Sequence, residues 1–577
     1  MVKLTINQAL QDGIEAHKAG QVHEAKRLYT VILKAQPKHP DANHNAGVIA
    51  VGDGKIELAL PFFKRALESN PNKAQFWYSY IDALIKLERL IDAKALLDQA
   101  KNKYAEGAGF GQLEQRLNKL NKPPAIKLNH ADAYYNMGIA LKAQSKLEEA
   151  IVAYKKAISI KPDYADAYYN MGIILKEQSK LEEAIVAYNK AIFIKPDYAK
   201  AYNNMGIALK AQSKLEEAIV AYNKAISIKP DYAEAYHNMG NALQEQNKLK
   251  EAIKAYNNAL AIQPDNAEIN HNLSFALLAT KDFDQGFIQS ESRWKTKGRV
   301  GTFLQSAKPM WNGEKNQRIL VWGEQGIGDE LMFSSIIPEL YAASLKILVK
   351  CDKRLIPLFE RSFPADLTYF SKEQLVPEDE YDFHIPMGSL PLTFRKSLES
   401  FKKSASGFLK CDMKKAESFK AQLMQKYDKK IIGISWKTAS SVRDSFNRNI
   451  NLAELAKTLQ NSNTQLLCLQ YGDVYDEIEA VKKDFGIEVI QFSDVDNKND
   501  IEGLASLISA CDQIVSTTNV TVHLAGALGA KVTALLPFSP RWIWGDGSES
   551  FWYNSVTPFK QNLYQNWGNV LENLDLN

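Results

Sequence analysis

The chain has little of what marks several large classes of protein. Its cysteines are few, lie far apart and form no CxxC pair: Cys351, Cys411, Cys468 and Cys511. This argues against a zinc knuckle or a disulfide framework and is typical of a reducing compartment. Lys+Arg minus Asp+Glu is 71 − 67 = +4, without basic blocks, so the charge pattern of a nucleic-acid-binding protein is missing.

Long apolar stretches are also missing. No apolar run reaches the ~18 residues that a membrane span needs. The first residues, "MVKLTINQALQDGIEAHKAG", are charged and amphipathic, without the apolar core of a signal peptide. The sequence therefore predicts a soluble cytoplasmic protein without a membrane span and without a nucleic-acid partner.

What the chain does have is a repeat. Pro162, Pro196, Pro230 and Pro264 are spaced 34 residues apart, and each comes at the end of a segment such as "LEEAIVAYNKAISIKP". Thirty-four residues is the period of the tetratricopeptide repeat, a pair of antiparallel helices. With the proline at position 32, the small and large residues that let two helices approach recur in register, as in Tyr134, Gly138, Leu141, Ala150, Tyr154 and Ala157.

The register also sets the expected domain organisation. Pro37 and Pro71 continue the same spacing upstream, so residues 1–104 are predicted to hold units one to three. The phase breaks over 105–130, which we expect to be an irregular joint. Units four to eight occupy 131–295, and the last of them decays after Leu277 into a cap. The prediction is an all-α superhelix, which a connector at 296–315 joins to a region of different pattern.

Asparagine recurs at position 6 of six units: Asn45, Asn136, Asn170, Asn204, Asn238 and Asn272. In this fold position 6 points into the concave groove, and a ladder of amides there suits the backbone of an extended peptide. The ladder resembles that of eukaryotic O-linked N-acetylglucosamine transferase, which holds polypeptide substrates. We therefore expect Asn136, Asn170, Asn204, Asn238 and Asn272 to bind a protein acceptor. The alternative is that they cap or bridge neighbouring helices.

The pattern changes at about Arg318. Short apolar runs such as "RILVWGEQ" and "KKIIGISW" alternate with helical patterns such as "NLAELAKTLQ", which predicts parallel α/β sheets. Since a strand-glycine-helix pattern restarts at "IIGISWKTAS", we expect two Rossmann-like lobes, 316–428 and 429–577, the second with a C-terminal tail. "GEQGIGDE" and "SWKTASSVRDSFNRN" come after strands, where ligands bind in such folds.

The stretch "GEQGIGDE" is the most distinctive of these. Gly326 and Gly328 allow a tight turn and the close approach of a ligand, and Asp329 is expected to begin a helix. The stretch is not a P-loop, because no GK[ST] comes after it, and it is not GxGxxG. From the residues alone, Asp329 can also be read as an N-terminal helix cap.

The wider context carries a resemblance. "RILVWGEQGIGDELMFSSIIPEL", "STTNVTVHLAGALGAKVTALLPFSPRWIWG" and "WYNSVTPFKQ" resemble the heptosyltransferase-like glycosyltransferases, and more closely bacterial proteins in which such a domain follows tetratricopeptide repeats. The resemblance covers about 300–570. It implies a GT-B fold, a sugar-nucleotide donor bound mainly by the C-terminal lobe, inversion at the anomeric centre, and no metal or other cofactor. Some members of this architecture modify flagellin.

The resemblance also implies roles for particular residues. The general base falls on Asp329, with Glu324 on the same loop as the second choice. The family's aspartate-threonine stretch falls on Thr518 and Asn519, so its aspartate is missing here. The implied donor-binding residues are Gly326, Gly328, Ser435, Lys437, Arg448, Gln470, Thr518, Asn519, Thr521 and His523, with Arg443 and Tyr471 as further candidates.

Two of these assignments have plainer alternatives. His523 enters the apolar "LAGALGA" helix and can equally be a satisfied structural residue. Of Lys437, Arg443 and Arg448, one or two are expected to neutralise the leaving group and the others to be solvated. Trp542 and Trp544 are expected to pack rather than to stack on a sugar.

The sequence thus predicts a cytoplasmic glycosyltransferase that moves a sugar from a nucleotide donor to a protein, such as flagellin, in the repeat groove. Two alternatives stay open. One is a repeat scaffold whose transferase-like domain is degenerate, for which the lost aspartate at Thr518 is the best support. The other is a transferase for a lipid or oligosaccharide, with the repeats serving assembly.

Overall fold

The computed structural model describes residues 5–104, 109–120, 125–298, 303–402, 407–438, 447–563 and 566–574. The chain divides into two compact units, Met1–Lys195 and Pro196–Asn577. The division falls inside the repeat array, so the last repeats cluster with the α/β region. Within the described ranges, no helix combines the length and the hydropathy that crossing a bilayer requires.

The first unit is helical. Its helices are α1 Ile6–Lys18, α2 Val22–Ala35, α3 Pro40–Gly52, α4 Ile56–Ser69, α5 Ala74–Lys86, α6 Leu90–Lys103, α7 Phe110–Leu120, α8 Ala125–Ala143, α9 Leu147–Ile160, α10 Ala165–Glu177 and α11 Leu181–Ile194. Apart from α7, consecutive helices pack as antiparallel hairpins with the expected period. The repeat prediction is therefore confirmed for this unit.

A glycine facing an aromatic ring explains why the two helices of a hairpin lie so close. A Cβ atom on Gly138 would lie 2.5 Å from Cε1 of Tyr154, and one on Gly206 would lie 2.5 Å from Cε1 of Tyr222. No side chain fits there, because real contacts of a Cβ atom are longer. Position 8 of the repeat is therefore glycine so that the ring at position 24 can pack against the helix backbone.

The segment expected to be an irregular joint contains helix α7. Its apolar residues Phe110, Leu113 and Leu117 are buried against α5 and α6, so α7 covers the open face of the third hairpin. Helix α8 starts at Ala125, six residues before the boundary predicted at 131. The period missed both features because α7 lacks the repeat's spacing; residues 105–108 and 121–124 lie outside the described ranges.

The second unit opens with more hairpins, formed by α12 Ala199–Ala211, α13 Leu215–Ile228, α14 Ala233–Glu245, α15 Leu249–Ile262, α16 Ala267–Ala279 and α17 Phe283–Ser290. The last repeat does not decay after Leu277, as the sequence suggested. It forms a complete hairpin with a short second helix. Phe283 and Phe287 on α17 are buried in the core of the α/β region, which explains why this helix departs from the repeat consensus.

After the repeats, the chain forms two parallel sheets. The strands are β1 Arg318–Trp322, β2 Lys346–Cys351, β3 Thr368–Ser371, β4 Phe383–Pro386, β5 Lys430–Ser435, β6 Thr464–Cys468, β7 Val489–Ile490, β8 Gln513–Thr517, β9 Val532–Leu536 and β10 Val556–Lys560. The first sheet has the order β3-β2-β1-β4 and the second has the order β10-β9-β8-β5-β6-β7. The prediction of parallel sheets is confirmed. We call the regions around them the first and the second lobe.

Helices flank both sheets: α18 Ile327–Phe333, α19 Ile337–Ala343, α20 Ile356–Ser362, α21 Pro391–Phe394, α22 Met413–Lys426, α23 Leu452–Leu459, α24 Tyr475–Phe485, α25 Ile501–Ala510, α26 Val520–Ala527 and α27 Gly568–Glu572. Helix α22 packs against α25, so it belongs to the second lobe and the lobe boundary lies before Met413 rather than at 428. In the connector, Trp311 is buried and Met310 pairs with His384 of β4.

Strand order defines where ligands can bind. In the first sheet, β1 has β2 on one side and β4 on the other, so the chain order reverses beside the carboxyl end of β1. In the second sheet, β5 lies between β6 and β8 in the same way. Such switch points leave a crevice outside the strand ends. A ligand is therefore expected at the loops after β1, β5, β6 and β8.

Candidate functional site

The loop after β1, Gly323–Gly328, and the first turn of α18 carry three carboxylates, and two of them are structural. Glu330 is buried, forms an ion pair with Lys372, and its Oε2 accepts the backbone N–H of Asp352 at 2.9 Å. A Cβ atom on Gly323 would lie 2.5 Å from Cδ of Glu330, so that position must be glycine. Burial raises the pKa of Glu330 although Lys372 opposes the shift.

Glu324 is the second structural carboxylate. Its Oε1 accepts the backbone N–H of Gly388 at 3.1 Å and Nε2 of Gln325 at 3.1 Å, and Nη2 of Arg293 lies 3.3 Å away. The Glu324 side chain is 1% exposed, and burial raises its pKa. Glu324 therefore ties the loop to the turn after β4 and to the end of the last repeat, and its oxygens are already engaged.

Asp329 is the carboxylate that is left for a ligand. Helix α18 begins at Ile327 with Gly326 as its N-cap, so Asp329 is the third helical residue. Because the N-cap is Gly326, the alternative that Asp329 caps the helix is wrong. The Asp329 side chain is 23% exposed, and its Oδ1 lies 3.8 Å from Nη2 of Arg541 in the second lobe.

The facing wall of this cleft is the start of α26. A Cβ atom on Gly328 would lie 3.4 Å from Cδ2 of His523, so the two lobes meet at this pair. Nδ1 of His523 hydrogen-bonds with the Tyr553 hydroxyl at 3.2 Å, and the imidazole stacks on Trp544 with centroids 5.9 Å apart. Burial, together with the charge of Arg541, lowers the pKa of His523 to about 3, so the imidazole is neutral at pH 7.

Several predicted donor-binding residues form one buried polar network at the carboxyl ends of β5, β6 and β8: Ser435, Gln470, Asn519 and Thr521. Oε1 of Gln470 accepts the backbone N–H of Lys437 at 2.9 Å and the Ser435 hydroxyl at 3.0 Å. Nδ2 of Asn519 donates to Oγ of Ser435 at 2.8 Å, and its Oδ1 accepts the N–H of Thr521 at 2.9 Å. These side chains bond to one another and shape the loop after β5.

The predicted cations have protein partners. Lys437 forms an ion pair with Glu477, and Nη1 of Arg448 donates to the Thr518 carbonyl at 3.3 Å. The Thr518 hydroxyl is buried without a hydrogen-bond partner among the described residues. Arg443 lies in 439–446, outside the described ranges. Beside Gln470, a cavity of about 310 Å³ opens at the ends of β6 and β7, lined by Phe492 and Asn497 among others.

The structure adds Arg541, which sequence reasoning missed. Arg541 comes after β9 in "LLPFSPRW", and a basic residue just after a strand of a parallel sheet was the only signal available. The loop that carries it, residues 537–549, which we call the Arg541 loop, also contacts the repeats. Oγ of Ser539 donates to the Gln244 carbonyl at 2.8 Å, and the ring centroids of Trp542 and Phe287 are 5.8 Å apart.

Both tryptophans of this loop pack, as the sequence predicted. Trp544 is 1% exposed and stacks on His523. Trp542 meets Phe287 edge-on, and Lys281 of the last repeat forms an ion pair with Glu549 at the end of the Arg541 loop. The terminal repeats are therefore an integral wall of the α/β region.

Three of the five predicted acceptor-binding asparagines bridge repeats. Their Nδ2 atoms donate to the residue 35 positions upstream, in the preceding repeat: Asn170 to the Tyr135 hydroxyl at 2.9 Å, Asn238 to Oδ1 of Asn203 at 3.0 Å, and Asn272 to Nε2 of His237 at 2.8 Å. Asn204 donates to the Lys200 carbonyl of its own helix at 3.1 Å, and Asn136 is exposed. The bridging alternative has direct support, while all five keep some exposure.

A metal site does not form in the described part of the chain, where no three His, Cys, Asp or Glu side chains gather closely enough to hold an ion. The four cysteines are free thiols.

Comparison with known proteins identifies the repeats. A TPR repeat model matches residues 140–179, 174–213, 208–247 and 240–280, and two tetratricopeptide repeat models match residues 50–117 and 10–74. Tetratricopeptide repeats therefore occupy about the first 280 residues. This agrees with the period of the prolines and with the hairpins.

Among curated proteins, the chain is similar to protein FlbA of Caulobacter vibrioides, with 28% identity over 312 residues, covering 50% of this chain and 51% of FlbA. The chain thus spans about half the length of this relative. Similar solved structures include YrrB, described as a TPR protein with an unusual peptide-binding site (20% identity, 36% of this chain and 96% of that one, TM-score 0.18).

Another is the first TPR of Spaghetti (RPAP3) bound to an HSP90 peptide (28% identity, 20% of this chain and 92% of that one, TM-score 0.20). At these TM-scores the likenesses carry no conclusion about function.

Proposed function

We propose that the protein is a glycosyltransferase with a GT-B fold, which transfers a sugar from a nucleotide donor to a protein acceptor. The observation that carries the proposal is the pairing of Asp329 and Arg541 across the cleft between two parallel-sheet lobes. A carboxylate and a guanidinium from opposite walls supply the two functions that transfer needs, a base for the acceptor and a positive charge for the phosphates.

The chemistry of these groups defines the reaction. Asp329 accepts the proton of the acceptor hydroxyl while the hydroxyl oxygen attacks the anomeric carbon of the donor sugar. The bond between that carbon and the diphosphate oxygen breaks, and its electron pair leaves with the nucleoside diphosphate. Attack from the face opposite the leaving group inverts the anomeric centre. Proton transfer of this kind typically contributes 10²–10⁴-fold to the rate.

The second lobe supplies the donor site in this proposal. The buried network of Ser435, Gln470, Asn519 and Thr521 orders the loops at the ends of β5, β6 and β8, where doubly wound sheets bind nucleotides. The cavity of about 310 Å³ beside Gln470 is suited to the base and ribose of the donor. The donor is a substrate, and no metal or cofactor is invoked.

The repeats supply the acceptor site. Tetratricopeptide repeats are a common means of binding extended peptides, and the asparagine face is partly exposed. We propose a protein acceptor, with flagellin as one candidate, and a cytoplasmic location, which the four free thiols support.

The second candidate function is a repeat scaffold whose α/β region is inactive. The observation in its favour is that Thr518 replaces the aspartate implied by the resemblance and that its buried hydroxyl has no partner among the described residues. A scaffold needs the groove but not the Asp329 carboxylate.

Donor hydrolysis separates the two. Full-length protein incubated with a panel of sugar nucleotides, without acceptor, is expected to release nucleoside diphosphate slowly from at least one of them. Asp329→Asn serves as the matched control for transfer once an acceptor has been captured by the repeats. Absence of release from every sugar nucleotide, in a folded protein that still captures its partner, would favour the scaffold.

A further inference from the structure

The position of Arg541 assigns it a role that the sequence did not suggest. Its side chain is 48% exposed, and Nη2 lies 3.8 Å from Oδ1 of Asp329, at the long end of an ion pair. A guanidinium has five N–H donors, so this single long contact leaves capacity for another anion. Arg541 is therefore a cation that reaches the cleft and is still open to solvent.

The other cations expected at the donor site are committed to protein groups. Lys437 is paired with Glu477, and Arg448 donates to the Thr518 carbonyl. An anionic donor entering the cleft would have to displace these contacts, whereas at Arg541 it meets a partly exposed guanidinium beside one carboxylate. Bidentate Arg–phosphate contacts are also among the strongest hydrogen bonds that proteins form.

The terminal repeats hold this arginine in place. Within the Arg541 loop, the Ser539 hydroxyl donates to the Gln244 carbonyl at the end of α14, at 2.8 Å, and Trp542 packs edge-on against Phe287 of α17. The loop therefore has one side against the repeats and carries Arg541 on the side that faces Asp329. A shift of the terminal repeats would move the guanidinium.

We propose that Arg541 binds the diphosphate of the nucleotide donor and that the terminal repeats act as its positioning element, through Ser539 and Trp542. This inference rests on the proposed function. When the donor binds, the guanidinium turns from Asp329 to the phosphate oxygens, which leaves the carboxylate free to accept the proton of the acceptor. The repeats then have a second task besides holding the acceptor, because they set the geometry of the donor site.

The test measures binding by the full-length protein of inorganic pyrophosphate and of ADP, GDP, UDP and CDP, by calorimetry. Arg541→Gln is expected to raise the Kd for the diphosphates that bind by about tenfold or more, because a charge-assisted bond is lost, and Arg541→Lys by less. Arg89→Gln is the matched control, since its guanidinium has a similar exposure of 53% and lies in the turn before α6. Its Kd should equal that of the wild type.

The positioning role has its own variants. Ser539→Ala is expected to raise the Kd by about threefold and the donor KM in parallel, with kcat and melting temperature little changed, because one neutral hydrogen bond is removed. Ser548→Ala, in the same loop but bonded only to Asp546 in its own turn, is the control and should change neither.

The outcomes distinguish the two proposals. Diphosphate binding by the wild type with an unchanged Kd in Arg541→Gln overturns the role of Arg541 and leaves the transferase proposal standing. An unchanged Kd and donor KM in Ser539→Ala overturn the positioning role of the repeats. A wild type that binds no diphosphate and releases none from any sugar nucleotide overturns the proposed function, and this inference with it.

Discussion

Oδ1 of Asp329 lies 3.8 Å from Nη2 of Arg541, although 541 − 329 = 212 residues separate them in the chain. The carboxylate enters the cleft from the loop after β1 and the guanidinium from the loop after β9. Glu324 and Glu330 flank Asp329 in sequence but are buried against Arg293 and Lys372. Of the three carboxylates, only Asp329 is positioned to meet a substrate.

Replacing Asp329 tests the assignment of the base. Asp329→Asn keeps the size of the side chain but cannot take up the proton, so turnover should fall by about 10²-fold or more. The melting temperature should hardly move, because Gly326 rather than Asp329 is the N-cap of α18. Transfer rate and thermal unfolding are measured on the same preparation, and a fully active variant would end the assignment.

Glu324 is expected to matter for stability. Glu324→Ala leaves the Arg293 guanidinium, whose side chain is 12% exposed, without its buried partner, which should cost about 3–5 kcal/mol. Urea unfolding measures this loss. Glu399→Ala, which removes a 76% exposed partner of Lys402, is the control and should stay within about 0.5 kcal/mol. Equal unfolding midpoints for the two variants would contradict the structural role of Glu324.

The close approach of the repeat helices predicts a cost for adding one methyl group. A Cβ atom on Gly240 would lie 2.6 Å from Cε1 of Tyr256, so Gly240→Ala should destabilise the protein by about 1–3 kcal/mol. Gly111→Ala in α7 is the matched control, since its Cβ would meet no described atom within 4 Å. There the higher helix propensity of alanine should stabilise by up to about 1 kcal/mol.

The asparagine face can be tested for its two roles. Asn170→Ala, Asn204→Ala and Asn238→Ala combined should weaken acceptor binding, and should also destabilise the protein by about 1 kcal/mol for each bridge lost at Asn170 and Asn238. Asn204→Ala alone is the cleaner probe, because its bond stays within one helix. Binding titrations and melting curves are compared, and unchanged acceptor affinity in both variants would favour the bridging role alone.

The buried imidazole of His523 makes stability depend on pH. Its folded pKa is about 3, below the unfolded value of ~6.5, so only the unfolded chain takes up a proton as the pH falls between them. This contribution to stability is complete above pH ~6.5 and decreases toward pH ~3, by up to about 1.4 kcal/mol per pH unit. Unfolding between pH 7.5 and 4.5 should therefore show a smaller slope for His523→Gln than for the wild type, and identical slopes would count against it.

Local patterns were enough to predict much of the fold. The period of 34 residues located the repeat hairpins, because the positions of Gly206 and Tyr222 depend only on contacts within one hairpin. Alternating strands and helices predicted parallel sheets, since a buried strand needs an apolar run whatever its neighbours are. Helix α7 was missed because its packing on α5 and α6 leaves no periodic signal.

The site was decided by tertiary structure. In sequence, Glu324, Asp329 and Glu330 are equivalent acids on one glycine-rich loop, and Lys437 and Arg448 were better candidate cations than Arg541. Which acid is buried depends on Arg293 and Lys372, which come from the last repeat and from the chain after β3. Arg541 reaches Asp329 only because the two lobes meet at Gly328 and His523 and the repeats support its loop. Such contacts join segments hundreds of residues apart, so no local period records them; they exist only once the lobes have packed.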